Sequence, residues 1–481
     1  MGSTAVMTSE IIFHALQRSG ILEVFLSGLS ASDTIPPRQH RHQSGKQPQY
    51  QGDNMSDDAR AFEDATYRKV GWRLIPILLI CYVIAYLDRV NVGFAKLQML
   101  NDLGFSDMIY AVGAGIFFIG YFFFEVPSNI ILHKVGARAW IARIMVTWGI
   151  LSAAMMFVTT PTSFYVMRFL LGIAEAGFFP GIILYLTYWY PSHRRAQITS
   201  LFMTGIPLSG VIGGPLSGAI MKVFDGQHGW SGWQWMFLLE GIPAVILGLV
   251  VFVFLDDRIS AAKWLTEEEA ALLEKNIAAE HAEKEDESLM KIFTSARVWL
   301  LAVIYFSFVM GIYGVSFWLP TIIKAMGIAD PLQVGMMSAI PYGFAAIAML
   351  LVGRSADRHR ERRWHVTIPA LLGALGLILS VIWADNTVLA MAALTLATSG
   401  ILCTLPMFWS LPTAFLAGTG AAAGIAMINS LGNLSGFISP YAVGWLKEMT
   451  ASTNAGMYLL SAVLIMGALL TLRVPASMVN K

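Results

Sequence analysis

Long apolar runs constrain this chain more than any other feature of its sequence. The 481 residues are 56% hydrophobic and only 13% charged, about half the charge of a typical soluble domain. A helix that crosses a membrane needs about 20 mostly apolar residues, and lipid offers the backbone no partner outside the helix. We therefore predict an all-α membrane protein. The candidate spans, twelve in all, lie near residues 72–92, 108–132, 139–158, 163–189, 198–222, 235–255, 298–319, 332–353, 366–383, 388–409, 416–440 and 455–473.

A charged interruption divides these spans into six and six. Residues 256–295 are rich in Glu and Lys, and Thr266 followed by three glutamates favours a helix start there. The predicted domains are a six-helix bundle over 55–255, a cytoplasmic linker over 256–295 and a second six-helix bundle over 296–481. A site between two such halves, near the middle of the membrane, is typical of transporters built from repeats.

Residues 1–54 do not share this pattern. Their apolar patch from Ile21 to Leu29 is interrupted by Glu23 and has no basic leader, which argues against a secretory signal. Two interpretations stay open. The segment is either a disordered cytoplasmic tail or an overcalled start, with translation beginning at Met55.

Basic residues alternate between the predicted loops and so predict the orientation of the chain. Loops on one side hold clusters of Lys and Arg, whereas loops on the other side hold at most a single lysine. We expect the clustered side to be cytoplasmic, with both termini there, in a bacterial inner membrane. The clusters contain Arg60, Arg68, Lys69, Arg73, Lys134, Arg138, Arg143, Arg194, Arg195, Arg354, Arg358, Arg360, Arg362 and Arg363, and the isolated lysines are Lys96, Lys222, Lys324 and Lys447.

The remaining composition argues against several other functions. A formal net charge of +1 gives no case for a nucleic-acid partner. The two cysteines, Cys81 and Cys403, lie in apolar runs without metal-ligand neighbours, so we predict two buried thiols and no metal site. The sequence has no phosphate loop, nucleophile elbow or dinucleotide fingerprint. We therefore expect neither an enzyme nor a cofactor.

Several motifs resemble the major facilitator superfamily over about residues 60–475. A turn with glycine and basic residues follows span two, at 134–138, and span eight, at 353–358, as it does in that superfamily. Other runs resemble its anion:cation symporter branch, the run in span four most specifically. These runs are Tyr86-Leu87-Asp88-Arg89-Val90-Asn91, Glu125-Val126-Pro127-Ser128-Asn129, Arg168 to Gly181, and Glu240-Gly241-Ile242-Pro243.

The resemblance implies the major facilitator fold, with twelve transmembrane helices in two six-helix bundles. Members of this branch import sugar acids, tartrate, phthalate and hydroxyphenylacetate with protons, and animal relatives handle phosphate, urate, sialic acid and glutamate. The chain departs from the pattern at His133, where the superfamily usually carries an Asp. We therefore expect a weaker ion pair at the turn after span two. It also lacks a Gln near Thr204-Gly205-Ile206-Pro207 that sugar-acid importers use. Aromatic or compact dicarboxylic acids are therefore at least as well supported as sugar acids.

Charged residues at membrane depth point to the same region. Each costs about 2.5–3.5 kcal/mol on insertion scales and indicates a function by default. Arg168 and Glu175 are seven residues apart, so they share one helix face, about 10 Å apart along the axis. Asp88 is predicted at the level of Arg168, as an acid–base pair, with Glu175 deeper. The charged set is Asp88, Arg89, Glu125, Arg168, Glu175 and Glu240, all in the first half.

This arrangement is suited to moving an anion together with a proton. An incoming carboxylate competes for a guanidinium, and the released acid takes a proton because burial favours its neutral form. We predict proton sites at Asp88 and Glu175, and the resemblance implies the same roles. Arg168 would couple them to substrate, and Arg89 would bind the anion or hold Asp88. Two alternatives stay open: an Asp88–Arg168 pair that only pins helices, and an Arg89 that only extends to the membrane surface.

Neutral side chains are predicted to complete the substrate site. They are Tyr86, Tyr121, Trp409, Asn429 and Asn433, with Tyr305, Tyr313 and Trp318 as weaker candidates. The alternative for the aromatic residues is an interface anchor, and for the amides a bridge between helices. Gating or structural roles are predicted for Glu125, Glu240, Asp357 and Arg358. The glycines of run 210–218 resemble the superfamily's antiporter signature, but such spacing mainly favours close helix packing.

The sequence thus predicts an alternating-access importer of a small organic carboxylate, driven by protons and functional as a monomer. Its expected partners are the anion, protons and the lipid bilayer. An anion exchanger or a facilitator of the same fold stays open as an alternative. A membrane sensor that binds anions without moving them is the remaining one.

Overall fold

The computed structural model describes residues 56–282, 294–413 and 418–479, and every regular element within them is a helix. The predicted tail over 1–54 and residues 283–293 of the predicted linker lie outside the described residues. The helices are α1 (Asp57–Val90), α2 (Val92–Leu103), α3 (Asp107–Val135), α4 (Ala137–Ala154), α5 (Pro161–Glu175), α6 (Phe178–Thr187), α7 (Ser192–Met203), α8 (Gly205–Val223), α9 (Gly232–Phe254), α10 (Glu267–Ala282), α11 (Ala296–Ala325), α12 (Pro331–His359), α13 (Arg363–Ile382), α14 (Thr387–Thr413), α15 (Gly418–Thr450), α16 (Asn454–Thr471) and α17 (Ala476–Val479).

The chain divides into two compact units, of which the first ends at Leu74 and the second runs from Ile75 to Lys481. The described part of the first unit consists almost entirely of the first turns of α1. The second unit holds the rest of α1, every other described helix and all the predicted membrane-depth charges. The predicted domain boundaries at residues 255 and 296 stay predictions.

Eleven segments within the described residues are long and apolar enough to cross a membrane, and they match eleven of the predicted spans. The first is longer than predicted, because α1 and α2 together run from Asp57 to Leu103. The predicted span near 416–440 falls on α15, which is not among the eleven; it carries Asn429, Asn433 and many glycines and serines. The all-helical membrane fold is confirmed, whereas the twelfth span and the cytoplasmic termini stay predictions.

The helices before and after α10 repeat one packing pattern. In the first half α3 packs against α5 and α4 against α9, and in the second half α12 packs against α14 and α13 against α16. The halves meet through two equivalent pairs, α8 with α12 and α3 with α15. In these pairs span five lies against span eight, and span two against span eleven. Two similar halves related by an axis along the membrane normal give this exchange of partners.

Glycines allow α8 and α12 to approach closely where the halves meet. A Cβ atom at Gly335 would lie 2.1 Å from the carbonyl oxygen of Gly214, and one at Gly218 would lie 2.4 Å from that of Pro331. Both distances are far below van der Waals contact, so a larger residue requires the backbones to separate. The structure supports the packing interpretation of run 210–218.

One span is interrupted beside the predicted charges. Span four breaks at Ala176 and Gly177, between α5 and α6, whereas Asn91, between α1 and α2, keeps right-handed helical angles. Gly177 has a φ of +86°, a left-handed conformation that favours glycine, and a Cβ there would lie 2.2 Å from the Ser128 hydroxyl oxygen. Glu175 is therefore the last residue of α5, and Arg89 lies in the last turn of α1.

We expect Gly335→Ala to lower the thermal stability of the purified protein, because overpacking a close contact costs about 1–3 kcal/mol. The matched control is Gly343→Ala in the same helix, where an added Cβ would lie 3.8 Å from Val211. Thermal unfolding in detergent compares the two variants. Equal midpoints would show that α8 and α12 do not meet at Gly335.

Candidate functional site

A buried ion pair between Arg89 and Glu175 joins the ends of α1 and α5. Arg89 Nε donates to Glu175 Oε1 at 3.0 Å, and Arg89 Nη2 contacts the same oxygen. Arg89 is 6% exposed and Glu175 1%, and either charge buried alone would be strongly unfavourable. Glu175 also lies at a helix C-terminus, where the helix dipole disfavours a negative charge. The ionised form of Glu175 therefore depends on Arg89.

Aromatic side chains from both halves surround Arg89. Its Nη1 donates to the Tyr313 hydroxyl at 3.2 Å, from α11 in the second half. Its guanidinium carbon lies 5.2 Å from the ring centre of Tyr121 and 5.5 Å from that of Phe117, both on α3. Such rings stabilise a buried cation. The structure thus brings Tyr121, and the weaker candidate Tyr313, to the ion pair.

Arg168, on α5, is 0% exposed. Its Nε and Nη2 each donate at 3.2 Å, to the carbonyl oxygens of Gly113 and Ala114 respectively. Its Nη1 has no hydrogen-bond partner in the described part of the chain. The guanidinium carbon lies 5.0 Å from the ring centre of Phe117, the same ring that faces Arg89. A buried guanidinium with an unused donor offers a binding place for an anion.

The predicted ion pair between Asp88 and Arg168 is wrong. Asp88 Oδ2 accepts a hydrogen bond from the Trp148 indole at 2.9 Å, and Oδ1 accepts one from the Ser152 hydroxyl at 3.2 Å, both on α4. Successive residues of a helix point about 100° apart. Helix α1 therefore directs Arg89 toward α5 and Asp88 toward α4. The prediction compared only the depth of Asp88 and Arg168 along their helix axes, which does not show the direction of a side chain.

Glu125, on α3, reaches the second half. Its Oε1 accepts a hydrogen bond from Asn429 at 2.8 Å and its Oε2 one from Ser430 at 3.3 Å. The predicted gating acid and one of the two predicted amides, Asn429, thus form a contact that joins the halves. Asn433 lies one turn further along α15.

Glu240, on α9, belongs to a separate buried cluster within the first half. Its Oε2 accepts from Asn91 Nδ2 at 3.0 Å, and its Oε1 accepts from the Ser217 hydroxyl at 2.7 Å. The residue is 2% exposed. No ion pair of Glu240 occurs in the described ranges, so its carboxyl group has polar partners but no counter-charge. Neither Asn91 nor Ser217 was predicted as a site residue.

The other predicted residues have different neighbours. The Tyr86 hydroxyl lies 3.2 Å from Ser316 Oγ, and the Trp409 ring centre lies 4.9 Å from that of Tyr305. Arg358 is exposed at the end of α12, and the side chain of Asp357 lies outside the described ones. Their predicted roles stay predictions.

The turn after span two is held by contacts that its own sequence did not reveal. His133 Nδ1 lies 3.1 Å from the Tyr188 hydroxyl, and the backbone N–H of Arg138 donates to Asp257 Oδ1 at 2.8 Å. Asp257 follows α9, 119 residues further along the chain. An acid from the end of span six therefore contacts this turn. In the turn itself, this chain has His133 at the position where the resemblance described above implies an Asp.

A lysine cluster that the sequence did not predict joins the halves at one end. Asp107, in the first turn of α3, pairs with Lys96 of α2 at 2.7 Å and with Lys447 of α15 at 2.8 Å. Lys96 Nζ also lies 3.5 Å from the ring centre of Trp318. Both lysines were assigned to loops, but they lie on helices. Their isolation in segments otherwise poor in charge was the available signal.

Two more lysines connect the halves at this end of the helices. Lys222 Nζ donates to Asp330 at 2.5 Å, and this hydrogen bond holds the pKa of the Asp330 carboxyl below its usual value. Lys324 Nζ donates to the Leu97 carbonyl oxygen at 2.8 Å. The four lysines predicted to be isolated thus all lie in or beside contacts between the halves.

The fold and these buried charges agree with a known family. The family model described as Major Facilitator Superfamily matches residues 78–440, more than half of the chain. The chain belongs to the Major Facilitator Superfamily. It is therefore a multi-pass membrane transporter, as the helices and their packing suggested.

Two relatives with different names are similar to this chain in sequence. It is 52% identical over 412 residues to a protein of Agrobacterium vitis named "Putative tartrate transporter", and the match covers 85% of this chain and 91% of that protein. It is 44% identical over 413 residues to a quinolone resistance transporter of Acinetobacter baumannii, with 85% and 95% covered.

A solved structure confirms the fold alone. The xylose transporter XylE from E. coli, in a partially occluded inward-open conformation, matches with a TM-score of 0.69 and 14% sequence identity. The match covers 84% of this chain and 98% of that chain.

We expect Lys447→Met to favour separation of the halves at the Asp107 end, because a partly buried ion pair is lost. The loss of about 1 kcal/mol corresponds to a roughly fivefold change in the ratio of open to closed molecules. Spin labels at Asn101 and Glu448 measure the distance across this end. The matched control is Arg473→Met, an exposed base at the other end of the second half. An unchanged distance distribution in Lys447→Met would contradict a closing role for this pair.

Proposed function

We propose that the chain imports a small organic carboxylate together with protons by alternating access. One observation carries the proposal. Two buried guanidinium groups face one phenyl ring, and one of them is neutralised by Glu175 while the other has an unused N–H donor. A site of this charge accepts one more anion.

The Arg89–Glu175 pair supplies the coupling between substrate and proton. A carboxylate that binds Arg168 also acts on Arg89, because the two guanidinium carbons lie 5.0 Å and 5.5 Å from the centre of the same Phe117 ring. Its negative charge competes with Glu175 for Arg89. Glu175 then loses its counter-charge in a buried environment at a helix C-terminus, so the neutral, protonated form becomes the stable one. One proton is therefore taken up at Glu175 for each anion that binds.

The switch between states follows from the same charges. At a site of Arg89, Arg168 and Glu175, a dicarboxylate without a proton leaves one negative charge in excess, and a proton without a dicarboxylate leaves two positive charges in excess. Either excess disfavours closure around the site. Tyr313 contacts Arg89 from the second half, and Glu125 holds Asn429 of that half. Occupancy of the first half can therefore change contacts with the second.

The guanidinium groups and aromatic rings of the site suggest the class of substrate. Guanidinium groups bind carboxylates in two places, and the rings of Phe117, Tyr121 and Tyr313 offer flat apolar surface beside them. We propose a compact dicarboxylic acid or an aromatic acid. The relative named for tartrate supports the first. We also propose the inner membrane as location, both termini in the cytoplasm and a functional monomer.

Export is the second candidate, because the chain is also similar to a quinolone resistance transporter. Quinolones carry a carboxylate on an aromatic ring system, so the same guanidinium groups could hold them. The direction of net movement under a proton gradient separates the two candidates.

The experiment uses liposomes that contain the purified protein and an internal pH dye, with an imposed membrane potential. Tartrate, aromatic acids and sugar acids are added outside in turn. We expect internal acidification with one class of acid. Substrate exchange without any proton movement would instead favour an exchanger or a facilitator, and proton movement inward as an internally loaded quinolone leaves the liposome would favour export.

We expect Glu175→Gln to abolish acidification while exchange of labelled acid across the membrane persists, because Gln keeps the shape of the side chain but carries no titrating group. Glu448→Gln is the matched control, since Glu448 is an exposed carboxylate at the end of α15. Acidification equal to wild type in Glu175→Gln would exclude Glu175 as the proton site.

A further inference from the structure

The first half buries more acid than base. Glu175 is neutralised by Arg89, and Glu125 has donors from the second half. Glu240 has neither a basic partner in the described ranges nor a contact with the second half in its hydrogen bonds. A buried carboxylate without a counter-charge is more stable as the neutral acid. In this arrangement Glu240 therefore favours the uptake of a proton.

A small cavity adjoins the two partners of Glu240. Its volume is about 20 Å³, and it lies between helices of the two halves. Asn91 and Ser217 contribute to its wall from the first half, and Ser316 and Tyr342 from the second. This volume suffices for one water molecule, which is stable in a cavity that offers two to four polar partners.

Asn91 provides an acceptor at this wall. Its Nδ2 donates to Glu240, while its Oδ1 is buried without a hydrogen-bond partner among the described residues. Asn91 is 1% exposed. A buried carbonyl oxygen is almost always paired with protein or with water, so a water in the cavity accounts for it. Ser217, which is bonded to Glu240 Oε1, gives the same water a second partner.

Hydroxyl groups continue the path to the contact between the halves. The Tyr86 hydroxyl lies 3.2 Å from Ser316 Oγ, and the Tyr342 hydroxyl donates to Ser316 Oγ at 3.1 Å. Tyr86 comes from α1, and the other two come from the second half. This cluster is therefore broken and remade when the halves move against each other.

We propose that Glu240 is a further proton-carrying site of this transporter, and that one water between Asn91 and Ser217 connects it with the hydroxyl cluster. The proposal rests on the proposed function. In loading, an O–H bond of the water breaks as the Ser217 hydroxyl takes its proton, and Ser217 passes its own proton to Glu240 Oε1. The water regains a proton from the solvent side, so one proton is gained by Glu240 and one is lost by the solvent.

A second buried acid, Asp88, lies on α1 three residues before Asn91. The Asp88 carboxyl group is directed toward α4, whereas the Asn91 side chain is directed toward Glu240 on α9.

The test measures the number of protons carried per acid, from the membrane potential at which net flux through the liposome reverses. We expect Glu240→Gln to lower this number by one while exchange of labelled acid persists. We expect Ser217→Ala to slow net uptake without changing the number, because only the relay is interrupted. The matched control is Ser209→Ala, since Ser209 lines the same cavity but donates to the Ile206 carbonyl oxygen at 2.7 Å.

A wild-type stoichiometry in folded Glu240→Gln overturns the inference and leaves the proposed function intact. A wild-type protein that moves no protons overturns both. Thermal unfolding establishes that each variant is folded. If Glu240→Gln does not fold, infrared spectra of Ser217→Ala decide, since loss of its hydrogen bond shifts the carbonyl band of a protonated Glu240. An unshifted spectrum then contradicts the proposal.

Discussion

The contact of Arg89 with Glu175 is the interaction on which the rest of the site depends. Neither charge is stable alone at this depth, because the surrounding rings and helices exclude water. The break in span four ends α5 at Glu175, where it meets the last turn of α1. Because this pair exists, an incoming anion can displace Glu175 from Arg89, and the displaced Glu175 then takes up a proton. A transporter that must couple two solutes needs this kind of mutual dependence.

The asymmetry between the halves gains a physical meaning from this pair. All the buried charges of the predicted set belong to the first half, and the second half contributes hydroxyl and amide groups, such as Tyr313 and Asn429, that hydrogen-bond to them. Neutral groups can leave a charged partner at lower cost than a counter-charge can. The halves can therefore separate at the site without exposing an ion pair, while the lysine contacts around Asp107 hold one end closed.

Much of the fold could be predicted from the sequence, because apolar length and the cost of burying charge are local properties. Eleven spans and the six buried charges follow from them directly. The partner of each charge does not. Whether Arg89 meets Asp88, Arg168 or Glu175 depends on the rotation of α1 and on the break at Gly177, and neither is visible in residue spacing within one helix. Similarly, Lys96 reads as a loop residue until α2 is seen to continue the first span to Leu103.

Proton uptake on substrate binding is the direct test of the competition between the carboxylate and Glu175 for Arg89. The acid selected by the liposome assay is titrated calorimetrically into purified protein in two buffers with different ionisation enthalpies. If binding releases Glu175 from Arg89, the wild-type protein takes up protons and its heats of binding in the two buffers differ. We expect this difference to disappear in Glu175→Gln. Equal heats in both buffers for the wild-type protein would contradict this competition, because the carboxylate would then bind without releasing Glu175 from Arg89.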